Sequence, residues 1–127
     1  AGVQAVLLAP GCADAWAPKV LRAGMGAHFH LPIHSLGWQE IKCILKEPSH
    51  RLQVCLADSS AGTPYTQVDF RAPLALIVGG EAAGAGSESA YLAERRVHIP
   101  MPGGSESLNA GIAASILLFE AVRQRTM

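Results

Sequence analysis

Two stretches of this chain combine glycine, proline and small polar residues in ways that suit a ligand. The first is Gly79-Gly80-Glu81, followed by Gly84 and Gly86, and it leaves an unbroken apolar run, Pro73 to Val78. Glycines after a buried strand let a ligand approach the backbone closely. The P-loop Lys-Ser/Thr pair and the G-x-G-x-x-G spacing are both absent, so a plain turn stays open beside a ligand loop. The second stretch is Ile99-Pro100-Met101-Pro102-Gly103-Gly104-Ser105-Glu106-Ser107-Leu108-Asn109. Its prolines and glycines fix an irregular loop, and Ser107 and Asn109 open the helix that follows. Ordinary capping explains those polar residues. A small-molecule pocket does so too, with backbone groups reading a base edge between apolar side chains.

Other residue sets carry weaker chemistry. His28 and His30, two apart, are expected on one strand face, with His34 close by. A metal site needs three or four converging ligands, and Glu40 is the only nearby acid, so no metal is expected. Asp58 and Glu81 both end predicted strands and could form a carboxylate pair. That pair would suit a small α/β hydrolase or nucleotide binder, with no motif to support it. Lys19, Arg22, Arg95, Arg96, Arg123 and Arg125 read as solvated helix-end or strand-end charges, Arg22 with an RNA-facing option.

These residues need a scaffold, and hydrophobic patterning supplies one. Strands are expected over residues 3–8, 28–33, 52–57, 73–78 and 96–99. Helices are expected over 15–24, capped by Asp14 with Pro18 in the first turn, and over 38–46, 87–94 and 107–125. The last helix is expected to face the core with Leu108, Ile112, Ile116 and Leu118 or Phe119. Alternating strands and helices imply an α/β fold with a mostly parallel sheet and helices on both faces. In such sheets ligands bind at the carboxyl ends of strands, where the loops after Ala57, Val78 and Ile99 leave.

Composition sets bounds. A chain of 127 residues, half of them hydrophobic and 16% charged, is one compact domain, 1–127, with a real core. Ten Lys and Arg balance ten Asp and Glu, which argues against a simple nucleic-acid clamp. Any RNA contact must use a local basic patch, a second subunit or another domain. Cys12, Cys43 and Cys55 are odd in number and widely spaced, so reduced, buried thiols of an intracellular protein are expected. No apolar run is long enough to span a bilayer.

Leu76-Ile77-Val78-Gly79-Gly80-Glu81 resembles the second motif of SpoU/TrmH RNA 2′-O-ribose methyltransferases. Ile99-Pro100-Met101 with Ser105-x-Ser107-Leu108-Asn109 resembles their third. The tail Leu117 to Arg125 resembles the family's ending, and Pro10 to Ala27 the segment after the first motif, closest to organellar large-subunit rRNA enzymes. The resemblance implies a SPOUT fold with a deep C-terminal trefoil knot, a homodimer, and S-adenosylmethionine as cofactor. It implies an RNA substrate, rRNA before tRNA, and a cytoplasmic or organellar (mitochondrial or plastid) location, not secretion. It implies cofactor contacts at Ala57, Gly79, Gly80, Ile99, Met101 and Leu108, and catalytic-site roles for Glu81, Ser107 and Asn109. Gly80 departs from the commoner Asn. The first motif, which supplies an Asn and an Arg in the family, is not matched, and a strand and helix are expected to be missing before Ala1. A non-catalytic cofactor-binding or RNA-scaffold dimerisation module of the same fold is the alternative.

Overall fold

The computed structural model describes residues 1–60, 62–79 and 86–127. The chain divides into two compact units, residues 2–43 and, apart from Ala1, residues 44–127.

In the first unit β1 (Val6–Leu8) pairs in parallel with β2 (Ile33–Ser35), Val6 opposite Ile33. Between them lies α1 (Pro18–Gly24). Pro18 takes its first position, where the missing N–H costs nothing. Asp14 does not cap this helix: Ala17 does, without a side-chain bond, and the Asp14 carboxylate instead accepts from the Trp16 amide at 2.9 Å. The expected strand over 28–33 is displaced. His28 sits in a 3₁₀ turn, Ala27–Phe29, entered through Gly26 at φ +89°, and extended pairing begins only at Ile33. His28 and His30 therefore share no strand face. The second unit is reached through α2 (Trp38–Lys46), which buries Ile41 and Leu45, four residues apart as the periodicity predicts.

The second unit is built on β3 (Gln53–Ala57), β4 (Thr63–Pro64), β5 (Leu74–Ile77) and β6 (Arg95–His98), in the order β4-β6-β3-β5. Among the described residues every ladder is parallel. Central β3 buries Val54, Cys55 and Leu56 in succession, as a strand covered on both faces must. β5 carries an equally apolar run but lies at the edge of its sheet and is only half-buried. Apolar content alone does not distinguish an edge from an interior. The unit also carries α3 (Gly86–Leu92) and α4 (Ala110–Thr126).

The core joins Cys55 and Val97 of the sheet to Val68, Phe70, Leu117 and Ala121. Thus α4 turns Leu117 and Ala121 inward, and leaves Ile112 and Phe119 more than half exposed. Of the expected inward face, Ile116 and Leu118 are half-buried, while Ile112 and Phe119 point out, because apolar residues surround the first turns of the helix and periodicity cannot choose a side there. Gln124 ties it down: its side-chain oxygen accepts from the Phe70 amide at 2.7 Å, and its nitrogen donates to the Val68 carbonyl at 2.9 Å. Arg125 donates to the Phe70 and Ala72 carbonyls.

One connection is unusual. Val97 pairs with Ala57 on one side and with Thr63 on the other. β3 and β4 thus flank β6, and the chain passes from one side of that strand to the other between Ala57 and Thr63. Gly62 is required there, because it has φ +103° and a side-chain carbon would collide with the Arg96 carbonyl. The Gly62 carbonyl in turn accepts from His98 Nδ1 at 3.1 Å.

Candidate functional site

A cleft of about 630 Å³ opens at the carboxyl ends of β3, β5 and β6, where parallel sheets bind ligands. The volume lies within the range of small-molecule and cofactor pockets. Each strand contributes the residues at which it stops. β3 gives Ala57 and Asp58, β5 gives Val78 and Gly79, and β6 gives His98 and Ile99. Met101 and the segment Ser107-Leu108-Asn109 close another side, and Leu117 of α4 reaches in from the core.

Seven of the nine residues singled out in the sequence meet here: Ala57, Gly79, Ile99, Met101, Leu108, Ser107 and Asn109. The other two, Gly80 and Glu81, lie outside the described residues, and so does any pairing of Glu81 with Asp58. Ser107 does not begin the helix. Asn109, extended at φ −52° and ψ 135°, is the N-cap of α4, and its side-chain oxygen accepts from the amides of Gly111 at 2.9 Å and Ile112 at 3.2 Å. Residues 107–109 are therefore held outside the helix, along the cleft. Asn at this position is a favourable cap, not the poor helix former it resembles inside a first turn.

Sequence reasoning missed the charged pair of the cleft. Arg96 Nη1 donates to Asp58 Oδ2 at 2.9 Å, while Asp58 Oδ1 accepts from the Ser60 hydroxyl at 2.7 Å and the Ser60 amide at 2.9 Å. The Ser60 bonds, with Arg96 behind them, hold the Asp58 carboxyl below its usual range. Asp58 and Arg96 are 38 positions apart, and only the adjacency of β3 and β6 brings them together. Nothing in the sequence signals that adjacency.

The remaining candidates lie elsewhere. His28 Nε2 donates to the Ala15 carbonyl at 2.6 Å. Among the described residues no group of three or more His, Cys, Asp or Glu is placed to hold a metal ion. All three cysteines are free, and Cys12 and Cys43 are exposed, so only Cys55 fits the expectation of a buried thiol. Burial pushes that thiol up from its ordinary value. No helix among the described residues is long and apolar enough to cross a membrane.

The sequence model of the SpoU rRNA Methylase family matches residues 1–119. The mitochondrial rRNA methyltransferase 3 of Mus musculus is 36% identical over 98% of this chain and 41% of its own length. The 23S rRNA (guanosine(2553)-2′-O)-methyltransferase RlmP of Bacillus subtilis is 34% identical over 94% of the chain and 47% of its own. Among solved structures, the SpoU methyltransferase AviRb of Streptomyces viridochromogenes, in complex with AdoMet, superposes with a TM-score of 0.92 at 31% identity. That match covers 98% of this chain and 49% of AviRb. The chain therefore spans less than half the length of each of these relatives.

Proposed function

This chain belongs to the SpoU rRNA methylase family, and from that we propose that it is the cofactor-binding and catalytic part of an S-adenosylmethionine-dependent rRNA 2′-O-ribose methyltransferase. The observation that carries the reading is the convergence of Ala57, Gly79, Ile99, Met101 and Leu108 on one cleft, beside Ser107 and Asn109.

The cleft fits a nucleoside-type ligand. Its apolar walls, Leu56, Val78, Ile99, Met101 and Leu108, suit a flat base. The backbone at Gly79 and Ile99 can read that base's edge. Asp58, Arg96, Ser107 and Asn109 supply hydrogen-bonding groups for sugar and amino-acid portions. S-adenosylmethionine, when bound, supplies an electrophilic methyl group on a sulfonium. This chain contributes alignment. Ala57, Gly79, Gly80, Ile99, Met101 and Leu108 hold the donor, and Glu81, Ser107 and Asn109 orient the ribose whose 2′-oxygen is methylated. A ribose hydroxyl is a weak nucleophile at neutral pH, so its proton must be drawn away as it reacts.

Residues 1–127 form one catalytic domain in this reading, supported by the single run of the family match across both compact units. The fold is the knotted SPOUT arrangement, with helices on both faces of the sheet. In support, β3 and β4 pair with opposite sides of β6, so the chain passes from one side of that strand to the other between Ala57 and Thr63. The active form is a homodimer. Ile112 and Phe119, two turns apart on α4, are the exposed apolar groups that a second subunit would cover. The relatives named for mitochondria favour an intracellular, organellar setting and rRNA over tRNA.

Incubation with radiolabelled S-adenosylmethionine and protein-free ribosomal RNA tests the reading. It predicts that label enters the RNA and blocks alkaline cleavage at the modified nucleotide. Label on a base, or in an alkali-sensitive position, overturns the 2′-O assignment.

A further inference from the structure

Residues 2–43 carry a surface that the methyl-donor cleft does not explain. Met25 is 92% exposed, Phe29 79% and Trp16 50%, large apolar side chains in an environment that normally excludes them. The Trp16 and His28 rings meet edge-on, centroids 5.2 Å apart at 61°. The arrangement is fixed in advance. His28 is anchored on the Ala15 carbonyl, and its ring lies so close to Gly24 that a side-chain carbon there would sit 2.6 Å from Nδ1. Exposed Lys19 and Arg22 project from α1, and exposed His30 follows Phe29. The charge is one-sided. Between Asp14 and Glu40 lie Lys19, Arg22 and three of the five histidines, with no acid.

We propose that Trp16, His28 and Phe29, with Lys19 and Arg22, form a docking surface for single-stranded RNA: the rings stack on unpaired bases and the cations meet phosphates. This rests on the reading of RNA as substrate and adds where RNA is held. Base–aromatic stacking with flanking cations is the chemistry of single-strand recognition. A second copy of the chain fits less well, because a two-fold interface would set Lys19 and Arg22 near their own counterparts with Asp14, bonded to the Trp16 amide, as the one acid beside them.

The test is fluorescence anisotropy of the full chain with an end-labelled single-stranded oligoribonucleotide, and with its duplex. Trp16→Ala weakens single-strand binding about ten-fold or more, with a much smaller effect on the duplex. The double variant Lys19→Glu/Arg22→Glu weakens binding and lowers the salt slope by about two. Lys46→Glu, outside the stretch, does neither. S-adenosylhomocysteine binding in the same samples stays at the wild-type level and reports an intact fold. Wild-type RNA affinity in both Trp16→Ala and the double variant overturns the surface alone. Variants that lose self-association while RNA affinity is unchanged overturn it in favour of a subunit interface. A wild-type chain that holds S-adenosylhomocysteine but no RNA overturns both the surface and the RNA half of the functional reading.

Discussion

Asn109 joins stability to function at a single side chain. Its oxygen caps α4 through Gly111 and Ile112, and the residue lines the cleft. Asn109→Ala should cost about 1 kcal/mol of stability through the lost cap. Asn109→Asp keeps an acceptor beside the positive end of the helix and should melt close to wild type. If the amide also orients ribose, both variants lose methyl transfer, and Asp does so without the fall in melting temperature. An Asp variant as active as wild type confines Asn109 to capping. Motif spacing located this residue in the sequence but misjudged its local role, because Ser107 and Asn109 are both good caps and only the backbone selects between them. Arg96 was the opposite case: a charge at a strand end carries no mark that its partner lies one strand away.

At the scale of elements, the passage from one side of β6 to the other, between Ala57 and Thr63, is the feature most exposed to mutation. Gly62→Ala places a carbon against the Arg96 backbone, which cannot swing aside as a side chain can. It should lower thermal stability and donor affinity together, whereas Gly103→Ala, with open space around it, changes stability little. Equal melting temperatures for the two would show that this passage is looser than its geometry. The C-terminal end of α4 carries a pH dependence. Glu120 accepts from Arg123 and Gln124, Arg123 first, and its carboxyl is lowered from 4.5 to about 2. A depressed carboxyl stabilises the fold above its unfolded value, and that contribution disappears as pH falls from about 4.5 towards 2. In acid titration Glu120→Gln should lose less stability than wild type across that window. Matching acid profiles would remove Glu120 from the account of α4. β3 and β5 were legible as strands because continuous β-rich runs between turns have few other solutions. The His28-Phe29-His30 segment was misread because alternation imitates a strand, and Gly26 turned the chain first.

For the whole molecule, the decisive point is that residues distant in sequence enclose one cavity fit for a nucleoside. Three strand ends and the entrance to α4 supply its walls. The alternating pattern announced the parallel sheet. The order β4-β6-β3-β5 lay beyond any periodicity, since patterning along the chain does not fix which strands become neighbours. An amide-correlation NMR titration of the chain with S-adenosylhomocysteine tests this most directly. The cleft predicts saturable shifts at one equivalent, grouped at Ala57, Gly79, Ile99, Met101 and Leu108. Spectra that do not change, or shifts gathered away from these five residues, contradict it.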